Sequence, residues 1–173
     1  MRRRSRRQRQ QQGATIRRHA LHEAGHAVAA ELLGLPVTIV RVRAKGGSTW
    51  HRKPPDTHTA ALAIVAGVVA EALDPTGPQS PVSWQTQPDR AELARLPAAV
   101  VGEAFMGAMR LLLTDPDTQT AVLALAGVLE RRRVVSGWGA RRIIENPHRY
   151  RPRPPRRRNG PPDAGYIRRS IGG

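Results

Sequence analysis

The chain has 173 residues, no cysteine and a formal net charge of +16. Its length suits one domain with a hydrophobic core, and the lack of cysteine excludes disulfides and thiolate metal sites, so that a transition metal must be held by histidines and carboxylates. Most of the positive charge lies at the two ends, because residues 1–12 carry six Arg and residues 148–173 carry eight Arg and one Asp. These ends are expected to bind nucleic acid or other polyanions nonspecifically, whatever the fold between them does.

The middle of the chain is poor in aromatic residues and rich in Ala, Val and Leu, which favours packed helices. We therefore expect a mainly α protein with a small β-hairpin or sheet, of the α+β class. Three regions are predicted: a disordered basic tail at residues 1–13, one folded domain at 14–146, and a disordered Arg/Pro-rich tail at 147–173.

The first predicted helix runs from Ile16 to Leu33, with Thr15 as its N-cap and Gly34 after its end. A β-branched run then predicts a strand at Val37–Arg43, and a glycine-rich turn leads into a second short strand at Ser48–His51.

The rest of the domain is predicted to be helical, apart from a long loop at Asp74–Pro88. Gly67, inside the first of these helices, suggests a close contact with another helix. The predicted helices are Thr57–Leu73, Asp89–Leu96, Ala98–Leu113, Pro116–Arg132 and a last one that Ser136 caps and that runs through Ile144.

No membrane span is expected, because the longest apolar run, Ala60 to Ala70, has 11 residues and a spanning helix needs about 20. The N-terminal arginines are followed by glutamines rather than by the apolar region of a signal peptide. We expect a cytoplasmic protein.

The residues His22, Glu23 and His26 lie in the sequence HEAGH and match the pattern HExxH. Two histidines four residues apart project from one face of a helix and can share a tetrahedral Zn²⁺. Glu23 lies beside that face, where it can take a proton from a water molecule at the metal, and is the predicted general base. The motif indicates a zinc hydrolase.

A catalytic zinc normally has three protein ligands, so the two histidines need a carboxylate from elsewhere. Helical phasing cannot choose the third ligand, because the choice depends on how later helices pack against the first. The candidates are Glu71, Asp74, Asp89 and Glu92.

The order HEAGHAVAA, VTIVRVR with a Gly-rich turn, AGVVAEAL and then an Asp at a helix start resembles the peptidase domain of the FtsH-type AAA zinc metalloproteases, a helical zincin-like domain. The resemblance covers roughly residues 15–144. It implies that His22, His26 and Asp89 bind the zinc, that Glu23 is the base, and that the strand residues Ser48, Thr49 and Trp50 bind substrate by β-pairing.

The chain departs from that family in having Ala66-Gly67-Val68 where the family has Gly-Gly-Arg, and in having no phosphate-binding GxxxxGK[ST] motif. A standalone peptidase without an ATPase module is therefore expected, with any ATPase supplied as a partner in trans. Its expected substrates are unfolded or flexible protein segments, because an extended chain must reach the metal.

Two alternatives remain open at this stage. One is a regulatory peptidase of the ImmA/IrrE type, which also carries a HExxH helix but cuts one specific protein. The other is a non-catalytic nucleic-acid-associated protein in which the basic tails carry the function.

A purely structural interpretation of Asp89 is that it forms a capping box with Thr86.

Overall fold

The computed structural model describes residues 6–74 and 87–150. It contains six α-helices and one three-stranded antiparallel sheet in these ranges, so the predicted fold class is confirmed. The helices are α1 Arg6–Leu32, α2 Thr57–Ala70, α3 Gln87–Leu93, α4 Ala98–Leu113, α5 Pro116–Arg132 and α6 Gly137–Glu145. The strands are β1 Val37–Arg43, β2 Gly46–His51 and β3 Val134–Ser136, and 3₁₀ turns occupy Glu71–Leu73 and Pro147–Tyr150.

Helix α1 is the centre of the molecule, and every residue from 20 to 30 is buried or nearly so. Helices α2 and α5 and the sheet pack around it. Small residues allow the close approach of α2: a Cβ atom added at Gly25 would overlap the side chain of Ala70 and would lie 2.6 Å from the carbonyl oxygen of Ala66. The alanine-rich composition thus produces tightly spaced helices.

Strand β1 lies between β2 and β3. The hairpin of β1 and β2 is closed by Ala44 and Lys45, and Gly46 has a positive φ of 143° at the start of β2. Strand β2 is therefore an edge strand, because none of the described residues pairs with its other side. This arrangement leaves free backbone groups along β2.

The structure differs from the sequence-based prediction at the first helix. Helix α1 begins at Arg6, so the prediction of an N-cap at Thr15 was wrong; the Thr15 hydroxyl instead donates to the Gln11 carbonyl oxygen within the helix. Residues 6–13, expected to belong to a disordered tail, are helical, and residues 1–5 lie outside the described part.

Smaller differences concern the ends of other elements. Strand β3 was not predicted, since its three residues directly follow α5 and carry too short a pattern to be recognised. Arg133, at φ 66°, ends α5 and turns the chain into β3. Ser136 caps α6 as predicted, accepting from the amide of Gly139.

The predicted loop Asp74–Pro88 falls mostly on residues outside the described part, as does the tail from residue 151 onward. The predicted disordered tail began at residue 147, and its first four residues, Pro147–Tyr150, instead form a 3₁₀ turn in which Pro147 is buried. None of the described helices combines the length and apolar character that crossing a bilayer requires.

Candidate metal centre

His22 and His26 lie one turn apart on α1 and are both buried, with 2% and 9% of their surface exposed. Their outer ring nitrogens have partners that fix the tautomers. The Nδ1 atom of His26 lies 2.7 Å from the carbonyl oxygen of Ala63, which can only accept, and Nδ1 of His22 lies 2.9 Å from Oε1 of Glu71. Each Nδ1 is therefore an N–H donor, so that a ring in its neutral form has its lone pair on Nε2.

The two Nε2 atoms point toward one another at 3.0 Å, and Asp89 joins them from α3. Its Oδ2 atom lies 2.9 Å from Nε2 of His22 and 3.5 Å from Nε2 of His26. These three atoms form a nearly equilateral triangle of acceptors, from residues separated by up to 67 positions in the sequence. Of the four carboxylates considered as a third ligand, Asp89 is the one that reaches both histidines.

Three acceptors at this spacing require a cation between them, either a proton or a metal ion. In a tetrahedral zinc site with bonds of about 2.0–2.1 Å, neighbouring ligand atoms lie about 3.3 Å apart. The observed separations of 2.9, 3.0 and 3.5 Å bracket that value. The donor set of two imidazoles and one carboxylate also suits zinc, so the residues present fit the ion.

The pKa shifts of His22 and Asp89 are also consistent with a cation between the three atoms. Burial alone lowers the pKa of His22, but hydrogen bonds to Asp89 and Glu71 outweigh it and raise the pKa to about 9. For Asp89, burial raises the pKa, whereas the hydrogen bonds with His22 and His26 hold it well below its usual range. The site thus strongly favours positive charge at its centre.

Glu23, the predicted base, is held against strand β2. Glu23 is 4% exposed. The Thr49 hydroxyl lies 2.8 Å from Oε2 of Glu23 and 3.0 Å from the backbone oxygen of Glu23, and the hydroxyl proton can be donated to either oxygen. Gly47 makes room for this side chain, since a Cβ atom there would lie 2.5 Å from Cγ of Glu23. The sheet therefore fixes the carboxylate of Glu23 beside the histidines.

Glu71 supports the triangle from outside. Its Oε1 atom accepts from His22, and its Oε2 atom accepts from Nε of Arg18 at 2.6 Å. A carboxylate bound to the outer nitrogen of a metal-binding histidine orients the ring and makes it a better ligand. Glu71 was considered as a metal ligand, and the structure gives it this supporting position instead.

The other two carboxylates do not reach the histidines. Asp74 lies 3.2 Å from Nε of Arg17, and Glu92 is exposed on α3. His19, one turn before the motif, has its Nδ1 atom 3.2 Å from the carbonyl oxygen of Arg43. The capping-box interpretation of Asp89 needs Thr86, which lies outside the described residues.

The three residues expected to bind substrate lie on β2 but face different ways. Thr49 faces α1 and contacts Glu23, whereas Ser48 and Trp50 alternate with it and face away from α1. Trp50 is 65% exposed. The backbone of this edge strand, rather than all three side chains, is therefore what lies open beside Glu23.

Some contributors were not identified from the sequence. The Ala63 carbonyl cannot be recognised as a histidine partner, because every residue has such an oxygen. Gly67 was expected only to make a close helix contact, yet a Cβ atom there would lie 2.5 Å from Nε2 of His26 and 2.9 Å from Cε1 of His22. The sequence signal that could have indicated this contact is the position of Gly67 on the helix that packs against the HEAGH motif, three residues before Ala70.

A scan against protein-family models finds no matching family, and a search of the curated proteins finds no relative of this chain.

Proposed function

We propose that this chain is a zinc-dependent endopeptidase that hydrolyses peptide bonds in unfolded or flexible protein segments. The observation that carries the proposal is the convergence of His22 Nε2, His26 Nε2 and Asp89 Oδ2 on one point. The similarity of the HEAGH segment and its surroundings to the FtsH-type peptidase domain supports the same activity.

Each residue has a defined role in this proposal. A zinc ion held by His22, His26 and Asp89 would polarise the substrate carbonyl and make a water molecule more acidic. Glu23 accepts the proton of the attacking water and later passes it to the leaving amine. Thr49 keeps the Glu23 carboxylate in place through its hydroxyl, and Glu71 keeps the ring of His22 in the tautomer that offers a lone pair.

The proposed substrate is a protein or peptide in extended conformation. Strand β2 offers an unpaired edge in the described part of the chain, and its residues Gly47 and Thr49 contact Glu23. A peptide that adds to this edge would run past the base. A folded protein would need prior unfolding, for which an ATPase acting in trans is the proposed partner.

The test compares the native chain with Glu23→Gln, using zinc content and the hydrolysis of casein as a model unfolded substrate. Loss of the base is expected to reduce the rate by about 10² to 10⁴ while zinc binding persists. Glu103→Gln, an exposed position on α4, is the matched control and should retain full activity.

Two outcomes bear on the proposal directly. A native chain that holds one zinc ion but cleaves casein no faster than Glu23→Gln would refute a general endopeptidase. Cleavage of a single partner protein, with casein left intact, would instead favour the regulatory type of peptidase.

A further inference from the structure

The outward face of the sheet next to the proposed site carries two exposed positive charges. Arg41 and Arg43 alternate with the buried Val40 and Val42 on β1 and are exposed. Among the described residues, no carboxylate lies within ion-pair distance of either guanidinium. The ion pairs of arginine in the described part of the chain involve Arg17, Arg18 and Arg141 instead, so Arg41 and Arg43 are available to a ligand.

The residues beside them on the edge strand are small. Arg41 is directly opposite Ser48 and Arg43 is directly opposite Gly46. Directly opposed residues of an antiparallel pair have their side chains on the same face. The small residues of β2 therefore leave the space above the edge strand open to the two arginine side chains.

A peptide that pairs with the free edge of β2 would lie one further strand spacing away. Neighbouring strands are about 4.8 Å apart, so its backbone would be about 10 Å from that of β1. An arginine crossing over Ser48 or Gly46 and a glutamate from the peptide can together span this gap. The third outward position on β2 is Trp50, which offers an apolar surface instead.

We infer that the peptidase selects extended segments whose outward side chains, at alternate positions, are acidic where they meet Arg41 and Arg43. Trp50 contacts an apolar side chain of the same segment. This inference rests on the proposed function for the location of the substrate, and it names the class of substrate: acidic, strand-forming segments. The inference rests on the charge complementarity between Arg41 and Arg43 on this face and the carboxylates of an acidic segment.

The test measures binding without cleavage. Fluorescently labelled peptides with either Glu or Lys at two alternate positions of an otherwise identical Thr- and Val-rich sequence are titrated with the full chain carrying Glu23→Gln. The Glu peptide is expected to bind about threefold to tenfold more tightly than the Lys peptide. Adding Arg41→Glu or Arg43→Glu should remove or reverse this preference.

The control variant is Arg110→Glu, an exposed charge reversal on α4, which packs against α2. It accounts for the attraction that the chain's overall positive charge exerts on any acidic peptide. Circular dichroism of each variant shows whether the fold is retained, and Arg41→Gln replaces the charge reversal if it is not.

Equal binding of the two peptides, or equal effects of Arg41→Glu and Arg110→Glu, would overturn the inference. If the native chain cleaves casein but shows no preference for the acidic peptide, only the inference fails. If Glu23→Gln binds the acidic peptide selectively but the native chain cleaves nothing, the inference about the surface stands and the proposed peptidase activity fails.

Discussion

Gly67 shows how closely helix α2 approaches the two histidines. A methyl group at this position would lie within 2.5–2.9 Å of atoms of His22 and His26, closer than contact distances allow. The imidazoles lie between α1 and α2, so they cannot move away without disturbing the Nδ1 hydrogen bonds that orient them. The geometry of the candidate metal centre therefore depends on the absence of a side chain at Gly67 as much as on the proposed ligands.

We predict that Gly67→Ala lowers zinc affinity by about 10- to 100-fold, the range seen when the support of a metal ligand is lost. Zinc affinity is measured by competition with a chromogenic chelator. Gly102→Ala is the control: no atom lies within 4 Å of the added methyl group, and alanine is the better helix former on α4. Unchanged affinity in Gly67→Ala would mean that the histidines are not held between the helices as described.

At the scale of single residues, the sequence predicted those parts of the candidate site that lie within one helical turn. The spacing of His22 and His26 determines that both rings share a face of α1, whatever the rest of the chain does. Asp89 is 67 positions from His22, and no local pattern connects them. Only a resemblance to a known family singled it out among four carboxylates.

At the scale of elements, two helices begin at exposed aspartates whose carboxylates cap them. Asp56 accepts from the amide and hydroxyl of Thr59 at the start of α2, and Asp115 does the same with Thr118 at the start of α5. Hydrogen bonds from the hydroxyl and amide of Thr118 hold the pKa of Asp115 below its ordinary value of 3.8. The amide and hydroxyl of Thr59 likewise lower the pKa of Asp56.

These caps predict a pH dependence of stability with a definite sign. A carboxyl group whose pKa is lower in the folded state stabilises the fold fully above its unfolded pKa and loses this contribution as the pH falls through the folded pKa. The double variant Asp56→Asn/Asp115→Asn keeps one accepting oxygen at each cap but cannot titrate. Between pH 5 and about 2.5, its free energy of unfolding in urea should fall less than that of the native chain; an equal or steeper fall would contradict the assignment.

Elements with a long sequence pattern and clear end signals were predicted well. A very short strand, and a helix that extends beyond its apolar part, were not. Helix α5 was predicted from Pro116 to Arg132 and has those limits, because proline at its first position and a left-handed residue after its end define it. Strand β3 has only three residues and is stabilised by pairing with β1. The start of α1 at Arg6 was missed because its first turns contain no apolar residues to suggest packing.

At the scale of the molecule, the fold brings three distant segments to one point. Helix α1 carries His22, His26 and Glu23, α3 carries Asp89, and the hairpin holds Glu23 through Thr49. The alanine-rich contact between α1 and α2 makes this possible, since larger side chains would separate the helices and withdraw Glu71 and Ala63 from the histidines. We therefore propose that the folded chain contains one preformed zinc site.

The most direct test of that claim is a zinc titration of the metal-free, full-length chain, followed by chelator competition. We predict one zinc ion per chain, and an affinity reduced by about 100-fold or more in Asp89→Asn. Asp74→Asn, which alters a carboxylate paired with Arg17, should bind zinc like the native chain. Failure of the native chain to bind stoichiometric zinc, or equal affinities in the native and Asp89→Asn chains, would contradict the account.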